Sequence, residues 1–394
     1  MNSTTPFQPQ AKVLFIDEPF SEAEGIRAGR SRFLFDQISA SFDSDLLLLK
    51  SSVYQEKPVE EHKGYDKLYS LSLDNAKTLY PESYHKLGTG QRERFAAILD
   101  GKRYEMVIMA GLACLPLSQI VHKVLPACPV VIDVEENRFS ELEAAWSRDK
   151  SATNYQAFWA LAKQKLGDRL LLKSCNHYLF ADPATQNELS KIFKLNPEKE
   201  AFLPLSWDVP ANTEPSPEHE KFLLFWGDPS NPDNLSQART LVSDIYPRIS
   251  KRMVEKNISL VICGGEQLQE LCGGRILYVP WAERDSYLQA ALLLVLPLEK
   301  PDRELRLLSA AAMGKALLCT SPTLQGFEGL EERVFCEANP NALVEKLIAL
   351  LRVPTQLELS GKALNTWYQD NWTAKILQKK LINILYNWIG TKHE

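Results

Sequence analysis

The sequence contains no GxxxxGKS/T and no strand-linked GxGxxG, and HExxH and GxSxG are missing as well. The usual phosphate-loop, dinucleotide, zinc-protease and serine-hydrolase signatures are therefore excluded as starting points. Cysteine is scarce and badly spaced for cross-linking. The seven residues, Cys114, Cys128, Cys175, Cys263, Cys272, Cys319 and Cys336, form no CxxC pair and are odd in number. That excludes a disulfide framework or a zinc knuckle and reads as small buried hydrophobes in a reducing compartment. Long apolar runs are absent too: the longest, Ala290 to Leu298, spans nine residues, whereas a bilayer-spanning helix needs about 20. Met1 to Gln10 is polar, with no basic stretch leading into an apolar one, so no secretory signal is expected and a cytoplasmic location is. Nor is there an excess of positive charge: 45 basic against 50 acidic residues give a net charge of −5, which offers no basic face to nucleic acid. The histidines, His62, His85, His122, His177, His219 and His393, are scattered, and no cluster has metal-ligand spacing. No metal and no resident cofactor are expected.

An apolar share of 45% with 24% charged residues is ordinary for a folded protein, and 394 residues favour two domains. Short apolar runs alternate with helix-patterned segments from end to end. The first half carries Lys12–Ile16, Asp45–Leu49, Met106–Met109, Val130–Asp133, His177–Phe180 and Ala201–Leu203. The second carries Phe222–Trp226, Ser259–Ile262, Ile276–Val279, Leu292–Leu296, Ala316–Cys319 and Val334–Cys336. These runs are continuous rather than alternating, as parallel strands covered on both faces require. Helical patterns lie between them, among them Arg30–Phe42, Arg138–Leu172, Leu235–Ile249 and Asn341–Leu351. Such alternation implies right-handed crossovers and an α/β class with two doubly wound, Rossmann-like domains.

The alternation breaks once, at DVPANTEPSPEHE, which has three prolines and no apolar periodicity. The expected organisation is a domain over 1–207, a linker over 208–220, a second domain over 221–370, and a terminal amphipathic helix within 371–394. That helix carries Ile376, Leu377, Leu381, Ile384, Leu385 and Trp388 on one stripe. The stripe suits docking back toward the N-terminal domain, while Lys379 and Lys380 leave a peripheral membrane contact open. Two facing doubly wound domains would leave a cleft at the carboxyl ends of their strands, where phosphate-bearing ligands bind.

A composite series runs through the second half. Phe225-Trp226-Gly227-Asp228 closes a strand and Asn231-Pro232-Asp233-Asn234 opens a helix. A strand ending at Gly264 follows, then Tyr287-Leu288 before a strand ending Leu296-Pro297-Leu298. Arg303 and Arg306, Gly314, Cys319-Thr320-Ser321-Pro322 and Gln325-Gly326-Phe327 complete it. This order and spacing resembles the donor domain of the GT-B glycosyltransferases, specifically the large retaining family 4, whose KxxEAxAxGxPVV segment corresponds to Arg306 through Leu318. In the first half, Pro19 to Arg32 and Val131 to Glu136 resemble the family's acceptor-side loops, and the likeness spans roughly 11 to 385.

The resemblance implies a nucleotide-sugar co-substrate, UDP- or GDP-linked, and a saccharide or glycan acceptor. It implies retention at the anomeric carbon, with a donor phosphate oxygen taking the acceptor proton, so that neither a dedicated base nor a metal is needed. Gly227, Asn234, Gly264, Ser309 and Gln325 would surround the donor. Arg306 matches the family's lysine and would stabilise the departing diphosphate, with Arg303 three residues earlier on the same helix face. The bland reading of Arg306 is an exposed ion pair with Asp302. On the acceptor side, Gly25 and Gly29 would permit a close backbone turn. Arg27 and Arg30 would add cations, and Asp133 and Glu135 would bond sugar hydroxyls. Solvated or capping charges are the alternative for all four. The family's two glutamates fall on Pro301 and Ser309. That departure supports a second class of function: a GT-B-shaped protein that binds a nucleotide sugar, glycan or protein partner without turnover. A sugar-nucleotide epimerase is a third, from architecture alone.

Overall fold

The computed structural model describes residues 11–17, 26–50, 64–73, 84–85, 87–135, 155–204, 221–227, 233–298, 305–324 and 327–390. The chain divides into two units, Met1–Pro204 with Gln378–Glu394, and Leu205–Leu377. The linker expected over 208–220 lies outside the described residues.

The first unit is built on a seven-stranded sheet in the order β3-β2-β1-β4-β5-β6-β7. Its strands are β1 (Lys12–Asp17), β2 (Asp43–Lys50), β3 (Lys67–Ser72), β4 (Met106–Ala110), β5 (Val130–Val134), β6 (His177–Phe180) and β7 (Glu200–Phe202). Every pairing is parallel. The second unit has a six-stranded sheet in the order β10-β9-β8-β11-β12-β13. It comprises β8 (Phe222–Trp226), β9 (Ser259–Gly264), β10 (Ile276–Pro280), β11 (Leu293–Leu296), β12 (Ala316–Thr320) and β13 (Phe335–Glu337). It too is parallel throughout. The apolar runs read as strands form strands, with bounds shifted by one or two residues.

Burial explains the continuous pattern. Val13 to Ile16 on β1 and Leu293 to Leu296 on β11 are fully buried, because helices cover both faces of each sheet. β3 is the strand the sequence reading passes over. It is an edge strand, exposed except at Leu71 and half-exposed Tyr69, and its lysine and serines show no apolar run. The helix expected over Arg138–Leu172 is helical over Tyr155–Leu172, and 136–154 lie outside the described residues.

In the second unit the helix Leu305–Ala312 precedes β12 and is held at both ends of its sequence neighbourhood. Gly314, at φ +65°, ends it, with the Gly314 and Lys315 N–H groups donating to the Ala311 and Ala310 carbonyls at 3.1 and 2.8 Å. Asn365, on the helix Pro354–Asn371, donates to the Ala311 and Ala312 carbonyls at 2.9 and 2.8 Å. Gly361 of the same helix lies against this turn: a Cβ there would stand 2.2 Å from the Gly314 carbonyl oxygen. Gly361→Ala is therefore expected to destabilise the protein by about 1–3 kcal/mol through overpacking, despite alanine's better helix propensity. A denaturant titration reads this as a lower midpoint at constant slope.

The terminal helix is Ala374–Gly390. Its stripe, Leu377, Leu381, Leu385 and Trp388, is buried, so this stripe is covered by protein and is not the surface for a membrane contact. Within the first unit Tyr386 packs on Phe42 at 5.0 Å between ring centroids, and Trp388 stacks on His177 at 4.5 Å. Burial, and secondarily the Lys199 ammonium, push the His177 imidazole from its usual 6.5 down to about 4. In the unfolded chain this histidine titrates near 6.5, so between pH 6.5 and 4 the unfolded state binds the extra proton. Stability from this residue is intact above pH 6.5, falls as pH drops through that window, and levels off below 4. The loss amounts to ~3 kcal/mol at most. His177→Gln should flatten the melting temperature across that window relative to the wild-type protein.

Candidate active site

The second sheet reverses its direction of winding between β8 and β11, the place where open parallel sheets receive ligands. Gly227 follows β8 directly, and its N–H donates to the Cys263 carbonyl at 2.9 Å. Gly264 ends β9. A Cβ on Gly264 would lie 2.6 Å from both the Gly227 oxygen and a Leu268 methyl, and one on Gly227 would lie 2.8 Å from the Asn234 Cβ. Of the expected donor residues, Gly227 thus neighbours both Gly264 and Asn234, and the two glycine backbones approach as closely as they do because Gly264 carries no side chain. Asn234 is buried on the helix Asp233–Arg239, which continues through a π-wound turn over Thr240–Ile245 into Tyr246–Glu255.

Arg306 comes to this strand end from the helix Leu305–Ala312. Its side chain is buried rather than exposed, at 3% of its full surface. Nη1 donates to the Gln237 amide oxygen at 2.8 Å and to the Trp226 carbonyl at 3.4 Å, and the guanidinium carbon stands 5.9 Å from the Phe225 ring centroid. The bland reading of an exposed ion pair does not describe this group. Ser309 is fully buried, and its hydroxyl donates to the Arg306 carbonyl at 2.9 Å, one turn back on its own helix. Thr320, at the end of β12, donates to the Leu298 carbonyl and ties that strand to the segment after β11.

Aromatic surface borders the same strand ends. The Trp226 and Trp281 rings meet edge to face at 5.3 Å, and Arg284 lies over Trp281 at 4.3 Å with its Nε 2.9 Å from Asp285. Burial pushes the Cys263 thiol up to about 12. At β13 the hydrogen bond from Cys319, its register partner, draws the Cys336 thiol down to about 6. Burial lowers Lys315 from its ordinary value.

In the first unit, Arg30 and Asp133 are brought together although 103 residues apart. Arg30 Nε lies 3.1 and 2.9 Å from the two carboxylate oxygens, Nη2 lies 2.6 Å from one of them, and Nη1 donates to the Leu203 carbonyl at 2.6 Å. Both side chains are almost wholly buried. The two charges anticipated as separate ligand contacts are partners of each other. Beside them, Ser31 donates to Asp17 at the end of β1, and Glu135 is buried just beyond β5. Gly25, Arg303, Gln325 and Pro301 lie outside the described residues, and Arg27 and Gly29 are described only as part of the helix Ile26–Ser39. Gln237, Trp281 and Arg284 carry no signal in the sequence: a glutamine on a helix and a tryptophan after a strand are commonplace.

Residues 220–353 match the family model described as glycosyl transferases group 1. The match falls within the second unit and includes β8 through β13. None of the curated proteins matches the chain. The fold of the chain is GT-B over nearly its whole length, as three solved structures show. Sucrose-phosphate synthase from Thermosynechococcus elongatus superposes with a TM-score of 0.66 at 15% identity, covering 97% of this chain and 100% of that one. HepE from Anabaena, solved in complex with UDP, gives 0.64 at 9% identity, covering 95% and 100%. TarM gives 0.65 at 9% identity, covering 96% and 99%. At such identities the likeness is one of fold. Among the described residues no group of three metal-ligating side chains occurs, and no helix is long and apolar enough to cross a membrane.

Proposed function

We propose that the protein transfers a sugar from a nucleoside-diphosphate donor, UDP- or GDP-linked, to a hydroxyl of a saccharide or glycan acceptor, with retention of anomeric configuration. The observation that carries this reading is the group 1 match over residues 220–353, which includes Gly227, Asn234, Gly264 and Arg306 at the β8–β11 switch point. HepE, which shares the fold, was solved with UDP-glucose. The diphosphate would lie against the Gly227 and Gly264 backbones, where no Cβ intervenes. Charge grows on the diphosphate as the glycosidic bond to it breaks, and Arg306, fixed in orientation by Gln237 and the Trp226 carbonyl, would stabilise that charge more than the intact donor. In the retaining scheme a donor phosphate oxygen accepts the acceptor's proton, so the chain's own task is orientation and charge stabilisation, with no residue serving as base and no step assigned to a metal.

The second reading is binding without turnover. It draws on Ser309, whose hydroxyl is committed to its own helix where the family has a glutamate. A thermal-shift panel with UDP, GDP, ADP and CMP tests the proposal. One nucleotide at a hundred times its dissociation constant should add about 2.7 kcal/mol of stability, and its sugar conjugate should be hydrolysed slowly in the absence of acceptor. A shift without hydrolysis supports the binding reading. No shift with any of the four, with Arg306→Ala equally silent, would remove the transferase and leave a protein that binds a glycan or a protein partner.

A further inference from the structure

All seven cysteines are free, and two of them, Cys272 and Cys336, are only half-buried. Their surroundings differ. The Cys272 thiol donates to the Leu268 carbonyl at 3.5 Å, and burial pushes it up to about 11. Cys336 lies on β13, the edge strand of the second sheet, in register with Cys319 on β12. Register partners on parallel strands point to the same face. Strands lie about 4.8 Å apart, inside the Cα separation of about 4.4–6.8 Å that a disulfide spans. The two thiols are in hydrogen-bond contact, and the Ser321 hydroxyl oxygen lies 3.8 Å from the Cys336 sulfur. Cys319 is fully buried, so a reagent arriving from solvent meets Cys336 first. A small buried hydrophobe, the reading that suits the other thiols, does not describe this pair.

We propose that Cys336 and Cys319 are a modification site for hydroperoxides, with Cys336 the attacking and Cys319 the resolving sulfur of a reversible disulfide. The Cys336 thiolate attacks one peroxide oxygen. An S–O bond forms, the O–O bond breaks, and the departing oxyanion takes up the proton that Cys336 gave away. The Cys319 sulfur then attacks the sulfenic sulfur. An S–S bond forms, the S–O bond breaks, and the leaving hydroxide takes the Cys319 proton and departs as water. Two thiols thus give up two electrons, and the hydroperoxide is reduced to an alcohol, or to water where it is hydrogen peroxide. The hydrogen bond from Cys319, joined by Ser321, holds the Cys336 thiol near 6, against its own burial and against the Glu337 and Glu331 carboxylates. Cys336 is therefore a thiolate at neutral pH, the form that reacts. Burial pushes Cys175 and Cys263 up to about 12 and leaves them inert by comparison. A transient bond of this kind is the use that paired thiols find in a reducing compartment.

Peptide mapping of the full chain tests the assignment. The protein is reduced, freed of reductant, treated with hydrogen peroxide and alkylated. The wild type should lose two alkylatable thiols per chain and gain a Cys319–Cys336 cross-link that dithiothreitol reverses. C336S should lose neither thiol. C319S should stop at the sulfenic acid, which dimedone traps, and form no disulfide. Because Cys319 is fully buried, a wild-type measurement stands beside that variant. Iodoacetamide labelling of Cys336 should rise with a midpoint near pH 6, and at pH 7 it should run at least about tenfold faster than labelling of Cys272. A Cys336 midpoint at or above about 8.5, equal thiol loss in C336S, or disulfides formed only between two chains would overturn the proposal. None of these readouts involves a nucleotide, so their outcome is independent of the donor reading.

Discussion

Arg306→Ala is expected to lose both stability and turnover, for reasons that two further variants separate. The guanidinium is 3% exposed and bonds the Trp226 carbonyl and the Gln237 amide oxygen. Truncation leaves two buried acceptors without this charged donor, which costs about 1–3 kcal/mol each. A stability loss of about 2–6 kcal/mol follows, measurable by denaturant titration. If the same cation stabilises a leaving diphosphate, donor turnover falls further, by about 10²–10³.

Gln237→Leu serves as the structural control. It removes the acceptor that orients Arg306 while leaving the charge in place, so turnover should fall less than stability would suggest. Arg306→Lys keeps the charge but replaces a planar fork by a point donor that reaches one acceptor at a time. It should retain part of the nucleotide-induced shift. A folded Arg306→Ala protein with wild-type donor hydrolysis would show that the group is only a strut under β8, and the assignment of diphosphate charge to this position would fall with it.

The parts of the fold legible in the sequence are those in which a single residue's environment repeats along the chain. β1, β4, β8 and β11 are covered on both faces, so each position demands an apolar side chain and the strand appears as a run. β3, at the sheet edge, makes no such demand, and its Lys67 and Ser72 look like loop residues. Gly227 and Gly264 were legible because a glycine at the end of a buried strand marks close backbone approach, and the structure supplies the approach: a Cβ on Gly264 would collide with the Gly227 carbonyl, and one on Gly227 with Asn234. Partnership at long range was not legible. Nothing in the composition near Arg30 points to a carboxylate 103 residues away, and nothing near Trp388 points to His177.

The Arg30–Asp133 pair carries the second large effect. Removing either partner leaves the other charge buried and uncompensated, so Arg30→Ala and Asp133→Ala are each expected to cost about 3–5 kcal/mol. Replacing both by apolar residues of similar volume, Arg30→Met with Asp133→Leu, removes the desolvation penalty together with the attraction. The double variant should therefore recover most of the loss, with a coupling energy well above the few tenths of a kcal/mol typical of independent sites. Recovery should stop short of complete, because the Leu203 carbonyl, bonded to Nη1 at 2.6 Å, still loses its donor at a cost of about 1–3 kcal/mol. Single variants costing less than 1 kcal/mol would mean that water reaches the pair. The geometry argues otherwise: one guanidinium binds the helix Ile26–Ser39, the end of β5 and the segment after β7 together, using its charge on Asp133. On that account the pair fixes the backbone of the first unit's strand ends, which is a structural role and needs no ligand.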